Sequence, residues 1–272
     1  MLEVTRRASK TADPDCFVDA PSSAGYRHWL RDPVKLGAPD ETDVFTFHTY
    51  SPPSTVLHHI RTRLDLWGGA EGWSKPAWLN EIGASACDLN PDFNQKVGTD
   101  ELAQAQLLIG DMALFLSERP TDKVFWFCTL DPHDPFHEQP WGQGGYVGDA
   151  AIGLLYEGLL PKIGYAAFAA LTKAFDGRRA LGAWEAAPGL RVIAFSGRRA
   201  IVLDEALGKA PERKATDLGC APGEQLTVLD LYGNVLADGK ASELTLDLSH
   251  GPLFLLGSAA LERLGNTWSV LT

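Results

Sequence analysis

The chain of 272 residues has little cysteine and fewer basic than acidic residues. Its four cysteines, Cys16, Cys87, Cys128 and Cys220, lie far apart without a C-x-x-C pair, which argues against a zinc site and a dense disulfide framework. Lys and Arg number 24 against 35 Asp and Glu, a net charge of −11. This excess of acid argues against a nucleic-acid or anionic-membrane partner.

Long apolar runs are also absent. No stretch approaches the roughly 18 residues of a membrane span, and residues 1–7 lack the apolar segment of a secretory signal. We therefore expect a soluble, cytoplasmic protein, provided that Met1 is the native start. The hydrophobic fraction of 45% and the charged fraction of 22% are those of a chain with a packed core.

The first 180 residues alternate short apolar runs with longer helical stretches, which predicts β/α units around a parallel sheet. The remainder alternates apolar and polar residues with turn signals, which predicts a small β-sandwich. The predicted domains are therefore 1–180 and 181–272, with hairpin corners at 196–199 and 230–235. Residues 132–148 form a long loop rich in Gly, Pro, His and Trp. The predicted strands are 16–20, 44–49, 77–82, 124–130, 190–195, 200–204, 226–231, 243–248 and 253–256; the predicted helices are 26–36, 55–67, 101–117 and 161–175.

The sequence K-P-A-W-L-N-E-I-G at 75–83 places Glu81 at the end of an apolar strand, beside Asn80. Ligands bind at the carboxyl ends of parallel strands, because loops and helix N-termini meet there. A carboxylate in this position is therefore a candidate catalytic group. The structural alternative is a glutamate that caps a helix or pairs with an arginine.

Two further predicted strands end in polar or aromatic residues. His48 and Tyr50 share one face of a strand over 44–49, so both could point at one pocket. Trp126 lies within the strand predicted at 124–130. It is either a platform for a sugar ring or an ordinary core residue.

Together these motifs resemble the C-terminal half of the retaining glycoside hydrolases built on a (β/α)8 barrel, a clan that includes β-xylosidases, cellulases and β-galactosidases. Glu81 matches the nucleophile that ends strand seven, and His48-Thr49-Tyr50 the His-x-Tyr of strand six. Trp126 matches the strand-eight tryptophan under the sugar. The stretch 153–168, G-L-L-Y-E-G-L-L-P-K-I-G-Y-A-A-F, resembles the clan's closing segment, with isoleucine at 163 where proline is usual.

The resemblance implies a partial barrel of four strands, matching strands five to eight, where a complete barrel has eight. It also exposes a gap, because the acid/base glutamate of the clan follows strand four in an Asn-Glu pair. The pair at 80–81 is the only Asn-Glu in this chain. Asp131, Asp134, His137 and Glu138 follow strand eight, where a solvated polar loop is the simpler interpretation.

A half-barrel leaves three explanations open: a fragment of a longer enzyme, a rebuilt open sheet, or two copies that supply eight strands between them. In the last arrangement strand eight of one chain takes the place of strand four of the other. Asp131 of the second copy would then act as the acid/base opposite Glu81. We accordingly expect a homodimer or a higher even oligomer.

Two functions follow from the resemblance. The first is a retaining β-glycosidase with Glu81 as nucleophile and His48, Tyr50, Asn80 and Trp126 around the sugar. It needs neither a metal nor an organic cofactor, since two carboxyl groups and water suffice. The second is a non-catalytic carbohydrate-binding or self-assembling half-barrel module. The missing carboxylate favours the second function, and the intact strand around Glu81 favours the first.

Overall fold

The structure is a computed structural model that describes residues 2–19, 27–51, 53–68, 74–84, 86, 100–118, 121–131, 152–156, 158–204, 212–249 and 251–268. Within these ranges it is a mixed α/β protein, as predicted. It divides into two compact units. The first comprises Met1–Ser51, Thr55–Gly83 and Arg119–Phe127, and the second comprises Pro52–Ser54, Ala84–Glu118 and Cys128–Thr272.

The first unit is built on a parallel sheet in the order β1-β2-β3. Alternate residues of β1 face opposite sides, and Phe45 and Phe47 are completely buried. Phe45 stacks on Trp67 of α3 with ring centroids 4.7 Å apart, so this face of the sheet is covered by a helix. The elements here are α1 (Leu2–Ala12), α2 (Arg27–Lys35), β1 (Phe45–His48), most of α3 (Pro53–Gly68), β2 (Ala77–Ile82) and β3 (Lys123–Trp126).

Helix α1 is fastened to the segment before β1 by ionic contacts. Arg6 Nη1 and Lys10 Nζ lie 2.7 Å and 2.9 Å from the two carboxylate oxygens of Asp43. Partial burial alone would raise the pKa of Asp43. The hydrogen bonds from Lys10, Arg6 and the backbone of Val18 more than offset it, so the pKa lies well below the usual range.

The second unit contains an antiparallel sheet in the order β4-β5-β6-β11-β8-β9 and a two-stranded sheet of β7 and β10. Phe175 of α5 contacts Phe195 and Phe254 of the larger sheet, with ring centroids 4.6 Å and 5.3 Å apart. Residues of both sheets share one apolar core. The elements are α4 (Glu101–Glu118), α5 (Ile163–Phe175), β4 (Ala180–Ala187), β5 (Leu190–Phe195), β6 (Arg199–Asp204), β7 (Arg213–Lys214), β8 (Gln225–Leu229), β9 (Val235–Lys240), β10 (Thr245–Leu246), β11 (Leu253–Leu256) and α6 (Ala259–Trp268).

Helix α4 is buried on every side from Gln104 to Phe115. A helix without a solvated face belongs to an interior, although this one also buries the polar Gln104, Gln106 and Asp111. None of the helices in the described ranges is long and apolar enough to cross a membrane. The boundary predicted at residue 180 stays a prediction; in the structure α4 and α5 belong to the same unit as the antiparallel sheet.

Three predicted strands have the predicted bounds, β2 over 77–82, β5 over 190–195 and β11 over 253–256. The strand predicted at 16–20 is wrong for its described residues, where only Asp19 forms a bridge, to Val44. The amide of Val18 donates to the Asp43 carboxylate instead of a strand ladder. The strand predicted at 124–130 ends at Trp126, because the carbonyl groups of residues 128 and 129 accept from 154 and 155. Of the run 243–248, only β10 is strand.

Candidate active site

Glu81 lies near the carboxyl end of β2, the central strand of the parallel sheet. Leu79 and Ile82 in the same strand are completely buried, whereas 21% of the Glu81 side chain is exposed. The apolar residues anchor the strand, and the carboxylate keeps contact with solvent. The position predicted for Glu81 at a strand end is thus the observed one.

The register of β2 is irregular at Asn80 and Glu81. Phe47 of β1 pairs with Leu79, but the next residue, His48, pairs with Glu81, so β2 holds one extra residue. Its pairing with β3 is irregular at the same place. Such bulges bend a strand and re-aim its side chains, and they are over-represented next to active sites. The bulge brings the Glu81 side chain alongside His48.

The imidazole of His48 and the carboxylate of Glu81 are in direct contact. Nδ1 of His48 lies 2.8 Å from Oε2 of Glu81, and about a fifth of each side chain is exposed. The backbone supports the pair, since the amide of Thr49 donates to the carbonyl of Glu81 at 3.2 Å. With one carboxylate oxygen held by an N–H donor, Glu81 is oriented and its second oxygen remains able to attack a substrate.

A chain of polar groups lies under the same strand end. Thr49 Oγ1 and Ser51 Oγ are 2.9 Å apart, and Ser51 Oγ lies 2.5 Å from Nδ1 of His59 on α3. Thr49 and Ser51 are almost completely buried. These contacts fix the turn that follows His48. The sequence analysis missed these contacts. Their signal in the sequence was weak, a run of hydroxyl residues after β1 and a histidine on the next helix.

Tyr50 and Asn80 are both half-buried. Tyr50 follows the last residue of β1, and among the described residues it makes no hydrogen bond to Glu81. Asn80 is the bulge residue itself. Both flank the histidine–glutamate pair in sequence, and their contacts with a sugar stay predictions.

Trp126 is the last residue of β3 and pairs in register with the completely buried Ile82. Its indole Nε1 is buried and has no hydrogen-bond partner among the described residues. Phe125, the preceding residue, is 46% exposed and its ring lies 6.4 Å from that of Trp78. Because neighbouring strand residues face opposite sides, this register favours packing for Trp126. Its role as a sugar platform stays a prediction.

Asp131 lies in the second unit, where residues of the same chain contact its carboxylate. Lys162 Nζ lies 2.7 Å from Asp131 Oδ1, and the two side chains are 1% and 11% exposed. The amide of Gly153 donates to the same oxygen at 2.8 Å. A Cβ at Gly153 would collide with the backbone of Asp131, so the close approach requires glycine. These contacts explain the buried position of Asp131, and its acid/base role stays a prediction.

The other groups considered as acids, Asp134, His137 and Glu138, lie outside the described residues, as does the loop 132–148. Within the described ranges no three His, Cys, Asp or Glu side chains are grouped as ligands of a metal ion. The expectation that no cofactor is needed stays a prediction. Among the described residues the site therefore consists of the Glu81 carboxylate, which His48 orients.

Comparison with solved structures relates this arrangement to known proteins. A family 39 glycoside hydrolase from the gut symbiont Bacteroides cellulosilyticus WH2 matches with a TM-score of 0.68 and 18% identity, over 94% of this chain and 54% of that chain. A GH39 β-xylosidase from Caulobacter crescentus matches with a TM-score of 0.53 and 14% identity, over 93% of this chain and 60% of that one. The fold is glycosidase-like.

The chain spans only 54% to 60% of the length of these two glycoside hydrolases. No family model matches the sequence, and no curated protein does so either. At 14–18% identity the similarity establishes the fold alone. It confirms the coarse part of the predicted resemblance, a likeness to glycoside hydrolases, without assigning a role to any residue.

Proposed function

We propose that this chain carries the nucleophile of a retaining β-glycoside hydrolase, with Glu81 as that nucleophile. The observation that supports this most is the 2.8 Å contact between His48 and Glu81 at the end of two parallel strands in a glycosidase-like fold. A glutamate needed only to balance charge would have no reason to lie in a bulge beside a histidine and remain open to solvent.

The reaction assigns one task to each group. A Glu81 oxygen attacks the anomeric carbon, the bond to the leaving oxygen breaks, and a second carboxyl group donates a proton to that oxygen. Water then hydrolyses the glycosyl ester, and the second group takes a proton from the water. His48 holds the other oxygen of Glu81 in position. Tyr50 and Asn80 are the proposed contacts to the sugar, and Trp126 is a third.

The second carboxyl group is the acid/base, and no motif of this chain matches it. Retaining enzymes place the two groups about 5–5.5 Å apart. We propose that the parallel-sheet part is a half-barrel over 1–180 followed by a β-sandwich over 181–272, and that a second copy completes the site in a homodimer or even oligomer. Asp131 of that copy is the candidate from strand order, although its ion pair with Lys162 speaks against it.

The test uses substrates whose leaving group needs little protonation. A dinitrophenyl β-glycoside departs without strong acid assistance, so Glu81 can be tested while the identity of the acid is open. The panel begins with a β-xyloside, since one structural neighbour is a β-xylosidase. We expect turnover by the wild type and a loss of at least 100-fold in Glu81→Gln. Glu243→Gln, at an exposed position, is the matched control and should keep full activity.

A retaining mechanism adds a second readout. Without its acid/base group, an enzyme hydrolyses the glycosyl ester slowly, and added azide should accelerate the release and give a β-glycosyl azide. Turnover that is unchanged in Glu81→Gln would overturn the proposal. So would an azide product of inverted configuration.

The alternative function is a carbohydrate-binding module without catalysis, which the single Asn-Glu pair favours. It predicts binding of a xylo-oligosaccharide with no turnover of activated glycosides. Isothermal titration of Trp126→Ala and Phe125→Ala then locates the sugar, because the two neighbouring aromatic side chains face opposite sides of β3. Weakened binding in one variant only identifies the binding face.

A further inference from the structure

Three aromatic side chains form a continuous row across the parallel sheet. Phe17, Trp78 and Phe125 make up this aromatic row, with ring centroids 5.9 Å apart between the first two and 6.4 Å apart between the last two. Lys123 Nζ lies over the Trp78 ring, 4.3 Å from its centroid. Phe17 is 63% exposed and Phe125 is 46% exposed.

The row lies on the face of the sheet opposite to the helix-covered one. Phe45 stacks on Trp67 and on Phe47, and the register partners Ala77 and Leu79 share that buried face. Trp78 lies between Ala77 and Leu79 in β2, so strand alternation places it on the other side. The first unit thus has one packed face and one face with exposed aromatic rings.

Exposed apolar side chains are common singly, but a contiguous row marks an interaction surface. Each aromatic side chain can bury about 150–250 Å². On the two exposed fractions, the phenylalanines alone offer about 200 Å² per copy, roughly a quarter of the 800 Å² that each partner buries in a standard interface. The edges of the described sheet can supply part of the remainder.

We propose that the aromatic row is the surface on which two copies of this chain pair, with Phe125 of one copy against Phe17 of the other. The proposal rests on the half-barrel proposed above and names the surface that closes it. The row runs from one edge of the described sheet to the other, because Phe17 lies beside the Asp19–Val44 bridge and Phe125 lies on β3.

A two-fold axis satisfies both edges at once, since residue i then meets j while j meets i. Pairing in this way joins two rows of three rings into one layer of six. The amount of chain also agrees: 94% of this chain matches 54% of the first glycoside hydrolase. A second copy therefore supplies about as much polypeptide as the part of that glycoside hydrolase that one copy does not match.

The experiment measures solution mass by light scattering after size-exclusion chromatography. For the wild type we expect twice the 29.5 kDa of one chain. Phe17→Lys and Phe125→Glu should each shift the mass toward one chain at the same concentration. Leu36→Asp removes a large apolar side chain that is 85% exposed outside the row, so it should remain paired as the matched control.

Mixing the two variants separates loss of pairing from loss of folding. In a mixed pair the new ammonium of one copy faces the new carboxylate of the other, while the second junction keeps both phenylalanines. The 1:1 mixture should regain the mass of two chains. A wild-type mass of one chain overturns the proposal, and so does a mixture that stays at one chain while circular dichroism shows both variants folded.

The same fractions are assayed with the dinitrophenyl glycoside, so that the two proposals fail separately. A two-chain species that responds to the row variants but shows no turnover upholds the pairing and contradicts the enzymatic proposal. Turnover by a one-chain species contradicts the pairing and upholds the role of Glu81.

Discussion

Replacing Lys162 by methionine is expected to lower the free energy of unfolding far more than replacing an exposed lysine. Its side chain is 1% exposed and its ammonium lies 2.7 Å from the Asp131 carboxylate. Removing one partner of a buried pair leaves an uncompensated charge and costs about 3–5 kcal/mol, against about 0.2–1 kcal/mol for an exposed pair. We expect about 3 kcal/mol, because the Gly153 amide still donates to Asp131.

The assay is urea unfolding at pH 7 followed by circular dichroism. Lys173→Met, at an exposed position in the last turn of α5, is the matched control and should change stability by less than about 0.5 kcal/mol. The double variant Asp131→Asn with Lys162→Met should recover most of the loss, since it removes both charges and keeps an oxygen for Gly153. A loss under about 1 kcal/mol in Lys162→Met would refute the reasoning, because that is the value of an exposed pair.

The double variant also isolates the catalytic question. Asp131→Asn alone leaves the Lys162 ammonium buried without its partner, so lost activity in that variant has a structural explanation. Full turnover of a glycoside with a poor leaving group by the folded double variant removes Asp131 as the acid/base. Loss of turnover in the double variant, when its stability is restored, supports the acid/base role predicted for Asp131 from strand order.

Three further outcomes follow from the titrating groups. Burial raises the pKa of Asp111 well above its usual range, so the contribution of Asp111 to stability should fall as the pH rises above about 4; Asp111→Asn should remove that contribution and add about 1–3 kcal/mol at pH 8 by urea unfolding. The lowered pKa of Asp43 means that its contribution is present above about pH 4 and is lost as the pH falls; Asp43→Asn should cost about 1 kcal/mol at pH 7, and an equal cost at pH 2 contradicts this. Burial raises the pKa of Cys220 to about 11, so iodoacetamide at pH 8 should label the half-buried Cys16 and Cys128 before Cys220, as read by peptide mass mapping.

Elements with strong local patterns were predictable from the sequence. The bounds of β2, β5 and β11 follow from short apolar runs that have turn signals at their ends. The corner at 196–199 became the turn between β5 and β6, with Gly197 at φ 80° and Arg198 at φ 60°. Gly197 adopts its positive φ without steric cost, which suits this three-residue turn between Phe195 and Arg199.

Other elements depend on contacts that no local pattern encodes. Strand β9 (Val235–Lys240) is a largely exposed edge strand, and it exists because it pairs with β8. Helix α6 (Ala259–Trp268) is interrupted by glycine and two polar residues near its end, so its local pattern is weak. It begins where the Ser258 hydroxyl accepts from the amide of Leu261 and Glu224 accepts from Ser258, across 34 residues of chain.

The candidate site divides in the same way. The sequence places Glu81 at a strand end, because apolar residues precede it. It does not reveal the extra residue in β2 that pairs His48 with Glu81, since a bulge appears only when two strands are in register. Strict alternation would have put Asn80 and Glu81 on opposite faces. The ion pair of Asp131 and Lys162 likewise joins residues 31 positions apart.

The covalent role proposed for Glu81 can be tested directly by mass spectrometry of a trapped intermediate. A 2-fluoro-2-deoxy-β-glycoside with a dinitrophenolate leaving group slows hydrolysis of the glycosyl ester, so the ester accumulates on the attacking carboxylate. We expect one fluoroglycosyl group on the peptide that contains Glu81, and none on that peptide in Glu81→Gln. An active sample with the label on another carboxylate, or with none, would contradict the account.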